Sequence, residues 1–426
     1  MRYYEIREVK AYSLQLSLED GKIERPRAVK EHGKAFRVLK NGFWGYFTGN
    51  VEDEEGLYRA EKCAVGKGNA DVDDLPFEGR FVLKPEKDFE GIALEDKIAF
   101  LRELEGMIRA EGIVSTRIVY IENVREVRIT SSNGGDIYYR VPRCGIVMQA
   151  FAKGKTLQYH SERELSVGGF EIAEKALEKA DKVAEIAVKL SNADSPPAGR
   201  MNVIMDPSLT GVFIHEAFGH AVEGDHVLQN ATVLKDMIGK KVADESVSVY
   251  DDPTLKEFGF YPFDDEGYQA ERTPIIENGI LKNFLNSRES GKRLGGRPGN
   301  GRADGLEPPI VRMSNTFIEA GDYSLDELIG EAKEGVMLYG SRGGETNPAT
   351  GFFHFNAQYG FLIRKGEVAG MVRDVSLSGN TLEILKEIRL GDEISFDPGF
   401  CGKAGQAVPI SDGGPPALVK AFVGGE

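Results

Sequence analysis

The nine residues 191–199, SNADSPPAG, constrain the fold more than any other stretch of the chain. They follow a run in which Ile172, Ala176, Ala180, Val183 and Ala187 recur at helical spacing, and a Pro-Pro pair cannot continue that helix. The whole chain has 426 residues, more than a single hydrophobic core usually serves. The break therefore predicts two domains, 1–195 and 196–426, each large enough to fold without staples.

On the N-terminal side the pattern opens almost directly on a strand. Residues 1–60 alternate as strands do, with Asp20-Gly21 and Asn41-Gly42 as hairpin signals. Ile98, Leu101, Leu104 and Ile108, behind Glu95 and Asp96, predict one amphipathic helix. Strands resume at STRIVYIENVREVRIT and DIYYRVPRCGIVMQAF before the long helix that ends at the break. The expectation is a mixed sheet with amphipathic helices.

Beyond the break, MNVIM reads as a short buried strand, and Asp206-Pro207 offers an N-cap followed by a proline at the first helical position. A helix from Leu209 to about Val222 should follow. From Ser246 the chain is rich in Gly, Asn and Asp between short apolar runs, the pattern of many short strands. One helix interrupts it, with a capping box at Ser324 and Glu327 and Gly335 at its end. GGRPGNGR and SRGGETNPATG lack the spacing of a phosphate loop and read as turns. The fold class is α+β, with a mainly antiparallel C-terminal domain that carries the Leu209 helix.

Charge excludes some functions. The formal charge is −15, from 68 acidic and 53 basic residues, and no basic block stands out. Neither nucleic acid nor an anionic membrane is expected as a partner. Three widely spaced cysteines, Cys63, Cys144 and Cys401, suggest no disulfide framework. With no secretory pattern at the start and no membrane-length apolar run, a cytoplasmic protein is expected.

Three of the six histidines, His215, His220 and His226, crowd into twelve residues with Glu216, Glu223 and Asp225 between them. Imidazole and carboxylate are standard zinc ligands, and a carboxylate beside a ligand histidine can take a proton from an attacking water. In HEAFGH, however, the histidines stand five apart rather than the four of the common helical motif. In a regular α-helix that spacing separates the side chains by about 140° around the axis. One π-bulge would bring them to a common face, and Gly219 would tolerate the distortion. Taken alone, the string serves equally as scattered surface histidines on an acidic helix end.

The longer stretch VIMDPSLTGVFIHEAFGHAVEGD, over 203–225, resembles the signature of the TldD/PmbA metallopeptidase family, in its TldD branch. DDPT, DDEG, ENGIL, GNGR, RMSNT and FCGKAGQAVPISDGGPP follow in family order, and GKAFRV with GFWGYFT extends the likeness N-terminally. The resemblance leads one to expect an amphipathic helix first, whereas this sequence opens almost directly on a strand. The resemblance implies Zn2+ bound by His215, His220 and a C-terminal cysteine, here Cys401, with Glu216 as general base. A thiolate suits zinc, and two histidines alone leave a catalytic site one protein ligand short. Cys63 and Cys144 are expected to be small buried apolar residues. Asp225 is a candidate for orienting a ligand, Glu223 and His226 read as a solvated helix end, and His354 is left open.

The resemblance further implies hydrolysis of small unfolded peptides or peptide precursors, bound in extended form against a sheet edge. It also implies a homodimer, or a heterodimer with a PmbA-like sister subunit. The alternatives are a non-catalytic scaffold, against which the intact motif stands, and a metal hydrolase of non-peptide substrates.

Overall fold

The computed structural model describes residues 3–73 and 76–425. Its N-terminal half is an eight-stranded sheet in which Tyr3–Glu19 pairs antiparallel with Arg27–Lys40 on one side and Ile113–Ser131 on the other. Asp136–Lys153 and Leu157–Val167 continue the antiparallel order. Asp20-Gly21 and Asn41-Gly42 form the hairpin turns, with φ of 47° and 79° and of 52° and 70°. Positive φ at both central residues lets a two-residue turn follow the twist of the strands it joins.

One sheet face, through Leu16, Tyr120, Ile146 and Met148, packs on the helices Leu94–Ile108 and Ala180–Asn192. The apolar period before the break persists, but the helix does not run through. Phe170–Glu174 is followed by a 3₁₀ turn, Lys175–Glu178, and only then by Ala180–Asn192. Another difference is the helix Asp53–Cys63, within a region that reads as strand. It buries only Gly56 and Ala60, so no apolar stripe announces it. A Cβ at Gly56 would lie 2.3 Å from the Phe36 ring, which is how closely this helix approaches the sheet.

In the C-terminal half, Gly199–Met205 lies inside a seven-stranded sheet, parallel to Glu334–Asn347 and antiparallel to Ala417–Gly425. A six-stranded sheet ends in the hairpin of Ser395–Lys403 and Gln406–Gly414, the latter running parallel to Asn315–Ile318. Most other pairings are antiparallel, so the fold is α+β. The core between these sheets includes Met205, Phe213, Phe218, Ile276, Val311 and Phe353. Val183, Ala184 and Ala187 of the pre-break helix belong instead to the N-terminal cluster.

The capping box at Ser324 and Glu327 is present, but the helix Leu325–Ala332 is closed by Lys333, at φ 55°, rather than by Gly335. Gly335 lies in the next strand, where a Cβ would come within 2.1 Å of the Asn202 carbonyl oxygen. Its glycine answers a close backbone approach, not a helix end. GGRPGN is a loop before Gly301–Arg302, and SRGGETN lies in an irregular hairpin strand. No helix among the described residues is long and apolar enough to cross a membrane.

Candidate metal centre

Asp206 starts the segment that builds the site. Its carboxylate accepts hydrogen bonds from the amides of Leu209 at 2.8 Å and Gly340 at 3.0 Å, tying the helix start to a neighbouring strand. Burial pushes this carboxyl up to about 7, against the pull of those amides. After Pro207–Val212 the α-helix becomes a π-helix over Phe213–Phe218 and then a 3₁₀ turn over Gly219–Val222. A π-turn bonds i to i+5, so it stacks residues five apart. The His215 and His220 rings accordingly lie 5.3 Å apart and perpendicular.

Gly219 does not absorb the distortion, because its φ of −59° and ψ of −45° are those of any helical residue. Phe218 departs further, with φ −119°. The glycine is required by packing: a Cβ there would sit 2.1 Å from Met313 Sδ.

The third group comes from the edge strand Ser395–Lys403. Cys401 Sγ lies 3.5 Å from His220 Nε2, and one donor atom from each of His215, His220 and Cys401 falls within 4.8 Å of the others. Arg312, wholly buried, fixes the strand by donating to the carbonyls of Cys401 and Gln406. Burial pushes the Cys401 thiol up, but the His215 and His220 imidazoles beside it outweigh that and hold it at about 4. Burial lowers His220, yet Glu223 and Cys401 lift it to about 10. Asp412 and Cys401 similarly outweigh burial at His215 and raise it well above the usual histidine range.

Each imidazole has a carboxylate behind it. His220 Nδ1 is 2.9 Å from Glu223 Oε2, and His215 Nδ1 is 2.7 Å from Asp412 Oδ1, out of line for a straight hydrogen bond. Burial lifts Asp412 to about 6 despite His215. Glu223 is fully buried but held down at about 2, because His220 and Lys403 more than offset its desolvation. Lys403 Nζ reaches Glu223 at 3.0 Å, Asp225 at 2.7 Å and the Val311 carbonyl at 3.1 Å. Glu216 Oε2 lies 3.6 Å from His220 Nε2, and its side chain, 37% exposed, is reached by solvent.

The five-residue histidine spacing, Cys401 and Glu216 thus meet in one place. Glu223, expected on a solvated helix end, is instead buried against His220; its position three residues on was the available signal. Asp225 touches Lys403 rather than either clustered imidazole, and His226 Nδ1 donates to the His220 carbonyl at 2.8 Å. Asp412, Lys403 and Arg312 carry no signal beyond the motif strings around them. His354 is exposed on its strand, Cys144 is buried in the N-terminal core, and Cys63, expected to be buried, is exposed.

Two imidazoles and a thiolate form a donor set for a divalent metal ion. Nε2 of His215 is buried and has no hydrogen-bond partner among the described residues, an arrangement that costs free energy unless a ligand is bound there.

Comparison with known proteins finds metallopeptidases along the whole chain. The PmbA/TldA metallopeptidase domain 1 matches residues 4–66, the central domain 87–193, and the C-terminal domain 198–425. A metalloprotease of Archaeoglobus fulgidus is 56% identical over 425 residues, covering 100% of both chains. A protein of Saccharolobus solfataricus named a zinc metalloprotease TldD homolog is 30% identical, over 93% of this chain and 90% of its own. The crystal structure of TldE from Thermococcus kodakarensis shares the fold, with a TM-score of 0.78 at 20% identity over 99% of this chain and 97% of its own. From its first strand to its last, this chain belongs to the PmbA/TldD family of metallopeptidases.

Proposed function

We propose that the chain is a zinc-dependent peptidase in which His215, His220 and Cys401 hold the ion and Glu216 is the general base. The convergence of those three donors from positions 215, 220 and 401 carries the reading. Tetrahedral zinc, with Zn–S about 2.3 Å and Zn–N about 2.0 Å, sets thiolate and imidazole donors roughly 3.5 Å apart. The 3.5 Å between Cys401 Sγ and His220 Nε2 fits that spacing.

Zinc, when bound, supplies Lewis-acid polarisation of the scissile carbonyl and of water. Glu216 takes a proton from the attacking water and returns it to the leaving amine. Glu223 and Asp412 orient His220 and His215, and Lys403 keeps Glu223 ionised in its buried position.

Small unfolded peptides are the proposed substrates. The strand that carries Cys401 pairs with Gln406–Gly414 on one side and, among the described residues, has no strand on the other. An extended peptide added there would be held by its backbone, with little sequence preference. The likeness to TldE supports assembly with a PmbA-like sister subunit, with a homodimer as the simpler form. We place the protein in the cytoplasm and divide it into domains 1–195 and 196–426, a division supported by the two largest cores, which lie on opposite sides of residues 193–198, while a smaller cluster joins Val9 and Val141 to Phe260 and Phe263 across it.

Metal analysis of the purified protein, together with digestion of a mixed-peptide library, tests the reading. One equivalent of zinc and zinc-dependent cleavage of short peptides are expected. Zinc-dependent hydrolysis of only non-peptide esters or amides would retain the metal site and overturn the substrate.

A further inference from the structure

A cavity of about 360 Å³ separates the second face of the N-terminal sheet from the C-terminal half. Strand alternation builds one wall: Val9 and Ala11, Ile121 and Asn123, and Val141 and Arg143 point to the same side of their strands. Phe258, Phe260, Arg302 and the tip of the Cys401 hairpin, through Phe400 and Val408, build the other. Its volume falls within the roughly 300–1,000 Å³ of small-molecule sites. Two exposed apolar side chains, Val29 at 58% and Phe400 at 53%, are among its lining residues and mark where it meets solvent.

Of the three guanidiniums in the lining, Arg125 is paired with Asp265, whereas Arg143 and Arg302 are not balanced by a carboxylate at close range. Arg143 donates only to the carbonyls of Phe258 and Phe260, and Arg302 only to those of Met313 and Pro409. Neither has a carboxylate within ion-pair distance among the described residues. Three acids of the lining have other partners: Asp265 pairs with Arg125, Asp264 accepts from the amides of Gly301 and Tyr268, and Asp304 accepts from the Ala407 amide. Glu31, two residues from Val29 on the same strand, is partly exposed. An unpaired buried guanidinium beside an apolar cavity is costly unless an anion joins it.

We propose that this cavity binds a small organic acid with an apolar body, its carboxylate received by Arg143 and its body by Val141, Leu165, Phe258 and Phe400. Nε and Nη2 of Arg143 already serve the Phe258 and Phe260 carbonyls, and a charged carboxylate is the stronger acceptor for the N–H groups they leave over than a neutral amide. Burial and the nearby Arg302 and Arg125 hold Arg143 down at about 9, consistent with a charge that lacks its counter-ion. Phe400 and Cys401 are neighbours on one strand, so a molecule seated here would lie behind the metal centre rather than in it. The inference is independent of the proposed peptidase reading.

Isothermal titration of the full-length protein tests it, with 3-phenylpropanoate, 3-phenylpropanamide and N-acetyl-alanyl-phenylalanine as probes. Saturable binding of the acids, at least about tenfold tighter than the amide, is expected. Arg143→Met should remove that preference. Because this variant changes a buried group, Ala11→Phe provides a second test by filling the cavity without touching charge, and thermal melts report whether each variant is folded. Tighter binding of the peptide acid would identify peptide C-termini as the source of the ligand; tighter binding of 3-phenylpropanoate would identify free apolar acids. No binding of either acid, equal binding of acid and amide, or undiminished binding to a folded Ala11→Phe variant would overturn the proposal.

Discussion

Cys401 Sγ and His220 Nε2 stand 3.5 Å apart although 181 residues of chain separate them. A helix and a sheet edge meet there, and neither holds all three donors by itself. The proposed ligand set therefore makes Cys401→Ser decisive. It should weaken zinc binding by more than about a hundredfold, beyond the loss usual for groups that only support a ligand. Competition with a chromophoric chelator measures this, and Cys63→Ser and Cys144→Ser should leave affinity unchanged.

Glu216→Gln keeps the shape of the side chain and removes its ability to accept a proton. Peptide hydrolysis should fall by about two to four powers of ten. Zinc content and melting temperature should match the unaltered protein. Near-normal turnover with metal bound would remove Glu216 from the role of base.

Glu223→Ala withdraws the partner of His220 Nδ1 and leaves Lys403 with only Asp225 and the Val311 carbonyl. Breaking a buried pair from one side typically costs about 3–5 kcal/mol, and freeing a ligand imidazole costs about 10–100-fold in metal affinity. Denaturant unfolding of the metal-free protein and chelator competition separate the two effects. Asp225→Ala, by contrast, should change metal affinity little, since Asp225 meets neither clustered imidazole.

Gly219→Ala should destabilise the protein by about 1–3 kcal/mol, the usual range for overpacking a filled core. The cause would be Met313 rather than backbone strain. Adding Met313→Ala should therefore recover part of the loss. If the double variant is simply the sum of two losses, the contact is not what demands the glycine.

The sequence was legible where local physics decides. Hairpin turns at Asp20-Gly21 and Asn41-Gly42, the Ser324 capping box and the Asp206 N-cap each rest on residues a few positions apart, and all are present. The five-residue histidine spacing called for a π-turn if both imidazoles were to share a face, and the backbone adopts one. What escaped was set by distant packing. The helix Asp53–Cys63 fully buries only the small residues Gly56 and Ala60, Gly335 answers to Asn202, and Glu223 is paired with a lysine 180 residues further on. Cys401 was accessible only through a family likeness, because no local pattern connects a strand near the end of the chain to a helix in its middle.

The edge strand Ser395–Lys403 also fixes when in the life of the chain a complete centre can exist. A polypeptide still being synthesised has both histidines long before it has the cysteine, and after that it must bring together the ends of a loop of 181 residues. Closing such a loop opposes assembly by on the order of 5 kcal/mol of chain entropy. Any copy that stops short of Cys401 would lack the thiolate, so a centre of this design stays incomplete until synthesis has passed this edge strand.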